Sequence, residues 1–168
     1  MEIDLRELRE GANEYEWAEA PEDLHIRDPD LRFVHPISTR MTVFKLSDSL
    51  SASGETNFRL RLDCVRCLEP FDLRLTSHFH FIFQKGRPPS LRGDEDETLI
   101  WLDDEPGKID LGKEVKDYIL LEVPINPVCK ESCAGLCPSC GENLNFKQCT
   151  CKAETIDLRW EALRALKA

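Results

Sequence analysis

The sequence lacks the features that would place this protein in or across a membrane. It has no run of about 20 apolar residues, the length that a helix needs to span a bilayer. The N-terminal stretch MEIDLRELREGANEYEW is acidic and has no apolar core of the kind that secretory signals carry. We therefore predict a cytoplasmic protein with no membrane partner, in a compartment where cysteines stay reduced.

The sequence also lacks the short motifs that accompany common enzyme chemistries. It contains no HExxH, no GxSxG, no P-loop and no GxGxxG. None of its four histidines lies beside a cysteine pair, where a catalytic zinc site with an open position for water would favour one. These absences indicate a protein that is not an enzyme and has no small-molecule substrate.

Positive charge is scarce. The chain has 22 lysines and arginines against 32 acidic residues, which gives a formal net charge of −10. Proteins that coat nucleic acid through bulk charge have the opposite balance. Any contact with RNA must therefore use a local basic patch, or the partner must be partly protein.

Two long stretches on either side of the sequence CVRC alternate between apolar and polar residues. The apolar residues of the first stretch fall on even positions and those of the second on odd positions. Such period-two alternation predicts half-buried strands, here joined as an antiparallel hairpin with one face in the core. The apolar positions are Leu50, Ala52, Phe58, Leu60 and Leu62, then Phe71, Leu73, Leu75, Phe79, Phe81 and Phe83.

Other patterns add short strands and a few helices. TLIWL and GKIDL are typical of short strands, and residues 111–123 have the spacing of a helix. A second helix is predicted near the C-terminus, and a short amphipathic segment stops at Gly11. A polar, acidic loop covers residues 86–98. The predicted fold class is α+β, built on an antiparallel sheet that could curl into a partly open barrel, with a C-terminal cysteine-rich zinc module.

The positions of the cysteines suggest a division into two parts. Residues 1–125 are predicted to form the sheet domain with the CxxC hairpin. Residues 126–168 are predicted to form a zinc-binding module with the C-terminal helix packed on it. Six of the eight cysteines lie in this second part.

The segment Cys137-Pro-Ser-Cys140-Gly141 has the form of a zinc knuckle, in which a glycine follows the second thiolate and can adopt a left-handed conformation. Another cysteine pair follows after eight residues. Four thiolates from two short turns can surround one tetrahedral Zn²⁺. We therefore predict one structural zinc site with the ligands Cys137, Cys140, Cys149 and Cys151.

The remaining cysteines form two further pairs, one at the hairpin tip and one just after the predicted helix. Closing the intervening loop costs about 3.5 kcal/mol, whereas a structural zinc contributes about 10–16 kcal/mol. We therefore predict a second structural zinc site with the ligands Cys64, Cys67, Cys129 and Cys133.

Three other arrangements of the cysteines stay open. A single zinc site could leave the other cysteines as free thiols. The sites could also group differently, with Cys129, Cys133, Cys137 and Cys140 together. CVRC could act as a redox dithiol, although that chemistry favours a helix N-terminus and CVRC lies between strands.

Arginines cluster on the polar face of the predicted hairpin and at its tip. They suit phosphate groups or a partner surface rich in carboxylates, and we predict that they bind RNA or a partner protein. Alternatively they belong to an ordinary solvated face and pair with Asp63, Glu69 and Asp72. The four candidates are Arg59, Arg61, Arg66 and Arg74.

Four stretches occur in the order LDCVRCLEPFDLRL, KIDLGKEVKDYILLEVPINPVC, CAGLCPSCGENLNFKQCTC and IDLRWEALRAL. In this order they resemble the YceD family, whose members are called large ribosomal RNA subunit accumulation proteins. The resemblance covers about residues 40–168. It includes the knuckle from Cys64 to Phe71 and the segment from Gly135 to Asn145.

The resemblance implies a non-enzymatic factor in large ribosomal subunit biogenesis that supports accumulation of 23S rRNA. Its partners would be large-subunit pre-rRNA or ribosomal proteins of the precursor particle. The resemblance carries no catalytic residues. Two alternatives remain open: a zinc-ribbon module that binds proteins without touching RNA, and a thiol redox sensor.

Overall fold

A computed structural model describes residues 1–29, 31–47, 49–86, 99–102 and 107–151. The predicted acidic loop, apart from Gly86, and the predicted C-terminal helix lie outside the described residues. The chain divides into two compact units. The sheet unit comprises residues 1–62 and 72–125, and the cysteine unit comprises residues 63–71 with the described residues from 126 on. The predicted division at residue 125 stays a prediction.

The described residues form eight strands and one helix. The helix α1 spans Gly112–Leu121. The strands are β1 (Glu2–Asp4), β2 (Gly11–Glu19), β3 (Arg32–Phe33), β4 (Ile37–Leu46), β5 (Ser49–Asp63), β6 (Pro70–Lys85), β7 (Leu99–Leu102) and β8 (Lys108–Asp110). The protein is therefore mostly sheet, consistent with α+β but with fewer helices in the described part than the sequence suggested.

Six strands form one sheet in the order β2-β4-β5-β6-β7, with β3 paired to β5. The order runs from one edge to another without closing, so this sheet is open and is not a barrel. The pairs β2–β4, β3–β5 and β4–β5 are antiparallel, whereas β6–β7 is parallel. The predicted antiparallel sheet thus has one parallel pair, at this edge. Thirteen residues separate β6 from β7 in the sequence, and a parallel return needs a connection of about a dozen residues.

The other two strands, β1 and β8, form a separate antiparallel pair. The predicted amphipathic segment at the N-terminus therefore contains the strand β1 and a turn. Gly11, which was expected to stop that segment, begins β2 with φ of +93°. Glycine adopts this left-handed region without the steric cost that a side chain would add.

The predicted alternation of the central hairpin is confirmed by the burial of its side chains. In β5, Phe58 and Leu60 are buried, whereas Arg61 is exposed. In β6 the parity is reversed, because Phe81 is buried and His80 is exposed. The apolar positions therefore form one inner face of the sheet, as period-two spacing requires.

Helix α1 packs its apolar stripe against this inner face. Val115 and Ile119 are fully buried, and the ring of Tyr118 meets Phe81 edge to face with centroids 5.6 Å apart. The prediction of a helix over residues 111–123 is confirmed to within two residues at its end. Glu122, just beyond the end of the helix, is exposed.

Gly54 in β5 is required by close packing. A Cβ atom there would overlap the carbonyl oxygen of Arg40 and lie 2.7 Å from Cζ of Phe79. We expect Gly54→Ala to lower the free energy of unfolding by about 1–3 kcal/mol, as overpacked cores do. Urea unfolding measures this, with Gly107→Ala as control because the nearest atom to its added Cβ would be Arg6 Cζ at 4.0 Å. Equal losses in the two variants would contradict the packing argument.

Candidate metal centres

Four cysteines from two separate segments meet in the first centre. Their sulfur atoms all lie within 4.8 Å of one another. The Sγ atoms of Cys64 and Cys133 are 3.8 Å apart, and those of Cys67 and Cys129 are also 3.8 Å apart. The sequence predicted this set of four, and the structure brings its members together.

Backbone hydrogen bonds shape the knuckle that carries Cys64 and Cys67. Leu68 donates its N–H to the carbonyl of Cys64 at 2.8 Å and adopts a left-handed φ of +59°. Cys64 in turn donates its N–H to the carbonyl of Glu69 at 3.0 Å. The tip is joined to the second segment where Val65 donates to the carbonyl of Pro127 at 2.9 Å. These bonds turn both thiols of the knuckle toward one point.

The second centre contains Cys137, Cys140, Cys149 and Cys151, whose sulfur atoms also lie within 4.8 Å of one another. Gly141 follows the knuckle with φ of +74°, the left-handed conformation that the sequence predicted for it. Its N–H donates to the carbonyl of Cys137 at 2.9 Å, and the N–H of Cys137 donates to the carbonyl of Glu142 at 2.9 Å. The first pair of ligands is thus held by a closed turn.

The distances between the sulfurs suit a tetrahedral metal ion. A Zn–S bond of about 2.3 Å in a regular tetrahedron puts the sulfurs about 3.8 Å apart. The Cys64–Cys133 and Cys67–Cys129 pairs of the first centre have this Sγ–Sγ distance. A disulfide requires about 2.05 Å, and all eight cysteines are free thiols. Each group of four can therefore hold one metal ion, and a set of four thiolates favours zinc among the common ions.

The backbone favours the thiolate form of one cysteine in each centre. Burial raises the pKa of Cys64, but backbone N–H groups more than offset this and lower the pKa to about 6. In the second centre, backbone N–H groups, first that of Cys140 and then that of Ser139, lower the pKa of Cys137 to about 6. The backbone N–H groups of the knuckles therefore stabilise the negative charge on sulfurs that a cation would bind.

Crowding has the opposite effect on Cys129 in the first centre and Cys151 in the second. Burial and then neighbouring thiols raise the pKa of Cys129 to about 12. The hydrogen bond that the Cys151 thiol donates to Cys140, followed by burial and by charge repulsion, raises the pKa of Cys151 to about 12. Four crowded thiols do not all ionise together, and a divalent cation between them removes this conflict.

Arg66 has a structural contact that the sequence did not reveal. Its Nη1 atom donates to the backbone carbonyls of Glu131 at 3.0 Å and Cys133 at 3.2 Å. Its own carbonyl accepts the N–H of Leu136 at 3.0 Å. Arg66 thus fastens the knuckle to the segment that supplies Cys133.

This contact gives a testable expectation. Arg66→Ala should lower the metal affinity of the first centre about tenfold, the lower end of the effect seen when groups around a metal site are removed. Competition with a coloured chelator measures the affinity, and Arg74→Ala in the sheet unit is the matched control. An unchanged affinity in Arg66→Ala would mean that the guanidinium does not support the centre.

The other candidate arginines lie on the outer face of the sheet unit. Arg61 donates from Nε to the carboxylate of Asp72 at 2.8 Å, one of the pairings that the alternative interpretation expected. Hydrogen bonding to Asp72 raises the pKa of Arg61. Arg59 is half-buried and Arg74 is exposed.

Two asparagines near the centres were not predicted as site residues. Asn145 donates from Nδ2 to Sγ of Cys133 at 3.4 Å, and this hydrogen bond is the main cause that lowers the pKa of Cys133. Asn143 donates from Nδ2 toward Oε1 of Glu69 at 3.5 Å. The only sequence signal was their place in the motif NLN, because a hydrogen bond from one turn to a sulfur of another depends on tertiary structure.

Comparison with known protein families agrees with the resemblance seen in the sequence. The family model "Large ribosomal RNA subunit accumulation protein YceD" matches residues 52–167. Among the described residues, no helix has the length and apolar character needed to cross a membrane. No solved structure shows a significant match.

Two plant relatives share the family's name. A protein of Zea mays, "Large ribosomal RNA subunit accumulation protein YCED homolog 1, chloroplastic", is 30% identical over 148 residues, covering 72% of this chain and 50% of the relative. The Arabidopsis thaliana protein of the same name is 27% identical, covering 79% of this chain and 49% of the relative. The chain therefore spans about half the length of these relatives.

A bacterial relative carries no functional name. It is an uncharacterized protein of Mycobacterium tuberculosis (strain ATCC 25618 / H37Rv), 35% identical over 123 residues, covering 73% of this chain and 58% of the relative. The family model extends over more than half of the chain and includes all eight candidate metal ligands. The protein belongs to the YceD family of large ribosomal RNA subunit accumulation proteins.

Proposed function

We propose that this protein is a non-enzymatic factor in large ribosomal subunit biogenesis, acting in the cytoplasm to support accumulation of 23S rRNA. Its partner is the large-subunit precursor, through pre-rRNA or a ribosomal protein bound to it. The observation that carries this proposal is the family match over residues 52–167, together with the names of the plant relatives.

Within this function, the two metal centres are structural zinc sites. Each centre offers four thiols and no histidine or carboxylate among its ligands. Such a set fills all four positions of a tetrahedral ion and leaves none for a water or a substrate. The zinc ions would hold the cysteine unit in one shape so that it presents a fixed surface to the precursor.

Contact with RNA would be made mainly by Arg59 and Arg74. Side-chain hydrogen bonds between β5 and β6 join Arg61 to Asp72 and Thr76 to Asn57. In the antiparallel register that these two bonds imply, Arg59 lies opposite Arg74 on the outer face. Among the described residues, no salt bridge of 4.0 Å or less joins Arg59 or Arg74 to a carboxylate. Arg59 interacts with Asp72 at longer range, because the hydrogen bond from Arg61, and then the charges of Arg61 and Arg59, lower the pKa of Asp72. Like charges opposite each other in a sheet repel, and a phosphate between them would offset that repulsion.

Sedimentation of cell extracts tests the function directly. A native extract is run on a sucrose gradient with and without mild ribonuclease treatment. We expect the protein to comigrate with large-subunit precursors and to return to the top of the gradient after ribonuclease treatment. Protein that stays at the top in both runs would contradict a stable role in assembly.

A pair of charge-reversal variants tests the arginine cluster. Arg59→Glu/Arg74→Glu should lose most of the comigration, because two phosphate-binding cations are replaced by anions. The control Arg9→Glu/Arg27→Glu makes the same change in net charge at two exposed residues elsewhere on the sheet unit and should comigrate like the wild type. If the two double variants behave alike, these arginines do not contact the precursor.

A second candidate function is binding to a protein without contact with RNA. Three large apolar side chains of the cysteine unit are more than half exposed: Val65, Leu68 and Phe146. Exposed apolar groups held on a rigid turn are typical of protein-interaction surfaces. Comigration with a protein complex that survives ribonuclease, and that Leu68→Asp abolishes, would favour this function.

A further inference from the structure

The insert, defined as the segment between Cys140 and Cys149, belongs to the second centre in sequence but reaches the first centre in space. Asn145 of the insert donates to Sγ of Cys133 at 3.4 Å. Asn143 donates toward the carboxylate of Glu69, on the knuckle of the first centre, at 3.5 Å. Both contacts lie within the cysteine unit.

The hydrogen bonds fix which way the amide of Asn145 faces. Its Oδ1 accepts the backbone N–H of Ala134 at 3.0 Å, and a backbone N–H can only donate. Its Nδ2 must therefore lie on the other side, where one hydrogen goes to Oδ1 of Asn143 at 2.8 Å and the other points at Cys133 Sγ. Every polar atom of this side chain is used, so the donor to the sulfur has a defined position.

The insert is itself held by the second centre. Its two ends are the ligands Cys140 and Cys149. Near its start, Leu136 and Asn143 form an antiparallel bridge, and Leu144 donates its N–H to the carbonyl of Gly135 at 2.9 Å. A metal ion in the second centre would tie down both ends of the insert. It would thereby restrict Asn145 to the place from which it reaches Cys133.

We propose that Asn145 is a positioning residue for Cys133 and that, through it, the two centres bind their metal ions cooperatively. Four thiolates around one divalent ion carry a net charge of −2, and an N–H donor to a sulfur stabilises that charge. A metal ion in the second centre orders the N–H donor of Asn145, so the first centre binds its own metal ion more tightly. By linkage, filling the first centre strengthens the second by the same factor. The inference rests on the metal binding proposed above and is independent of any RNA contact.

Titration of the full chain with Co²⁺ tests the coupling, because thiolate–cobalt absorption reports how many sulfurs bind the ion. Affinities are measured by competition with a chelator. Asn145→Ala should weaken the first centre about 10–100-fold, the usual effect of removing a hydrogen bond to a metal ligand. Cys140→Ser/Cys151→Ser, which disables the second centre, should weaken the first centre to a similar degree.

The combination of these changes decides whether Asn145 is the link. In the Cys140→Ser/Cys151→Ser background, Asn145→Ala should have little further effect on the first centre, because its donor is already disordered. Full additivity of the two effects would overturn the link. A first centre that keeps its wild-type affinity in both variants would overturn the coupling, while leaving the metal sites themselves intact.

Two further variants separate the N–H donor from a general role in holding the loop. Asn145→Asp keeps an oxygen for the N–H of Ala134 but replaces the donor toward Cys133 with a second oxygen. It should weaken the first centre at least as much as Asn145→Ala does. Gln148→Ala changes an exposed residue of the same insert and should bind as the wild type does. A wild-type affinity in Asn145→Asp would overturn the positioning role.

A measurement on the wild-type protein does not depend on any variant folding. Native mass spectrometry of the half-loaded protein should show mainly ion-free and two-ion chains. Two equal and independent sites would give about half of the chains a single ion, and coupling lowers that share. A single-ion share as large as that calculated for independent sites with the two affinities measured above would overturn the cooperativity. No bound ion at any concentration would instead overturn the proposed metal sites.

Discussion

Removing the metal with a strong chelator is expected to unfold the cysteine unit while the six-stranded sheet stays folded. The described part of the cysteine unit from residue 126 on has no helix or strand beyond one isolated bridge. The buried cluster of the whole cysteine unit contains three cysteines, Cys64, Cys67 and Cys133, with a few partly buried side chains packed against them. So small a core cannot offset the entropy of ordering the segment, whereas a structural zinc contributes about 10–16 kcal/mol.

Limited digestion with trypsin measures this effect site by site. Lys130 and Lys147 are exposed residues of the cysteine unit, and Lys113 is an exposed residue of helix α1. Chelation should make cleavage after Lys130 and Lys147 faster by a factor of ten or more, on the order of the change expected when a protected segment opens. Cleavage after Lys113 should change little, and added zinc should restore protection. Equal cleavage with and without chelator would show that metal does not hold this unit.

The second large effect is expected in the core of the sheet unit. Phe81 is fully buried, stacks on Phe79 with centroids 5.2 Å apart and meets Tyr118 of helix α1. Phe81→Ala should lower the free energy of unfolding by about 3–5 kcal/mol, because it removes a large apolar side chain and leaves a cavity. Urea unfolding followed by the strand signal in circular dichroism measures the loss.

The adjacent residue provides a matched control. Ile82 is 46% exposed on the opposite face of the same strand. Ile82→Ala should therefore cost about 1 kcal/mol or less, the usual range for a surface position. If Ile82→Ala were as destabilising as Phe81→Ala, the assignment of inner and outer faces in β6 would be wrong.

The parts of the fold that could be predicted from the sequence are those with a strong local pattern. The hairpin was predictable because long period-two alternation, with a reversal of parity at CVRC, is typical of two paired strands and of few other structures. Helix α1 was predictable from the spacing of Val115 and Ile119. The grouping of the cysteines followed from their spacing, because knuckles pair thiols locally and the remaining pairs then make up a second group of four.

The parts that could not be predicted depend on tertiary structure. Strand β2 lies at the edge of the sheet, and its inward residues Tyr15 and Trp17 are only half-buried among acidic neighbours. Such a short, polar alternation gives a weak signal. The parallel pairing of β7 is set by the path of the chain and not by its own four residues. The contacts of Arg66 and Asn145 join residues that are far apart or on separate turns, so their residue types alone indicated no role.

Two separate sets of four cysteines, each holding one metal ion, are central to the proposed structure of the cysteine unit. Native mass spectrometry of the full chain at saturating zinc tests this most directly, with the wild type compared with Cys64→Ser/Cys67→Ser/Cys129→Ser/Cys133→Ser. We predict two zinc ions in the wild type and one in the variant, which keeps the second centre whole. A wild type with fewer than two ions, or a variant with none, would contradict the two centres as the structure groups them.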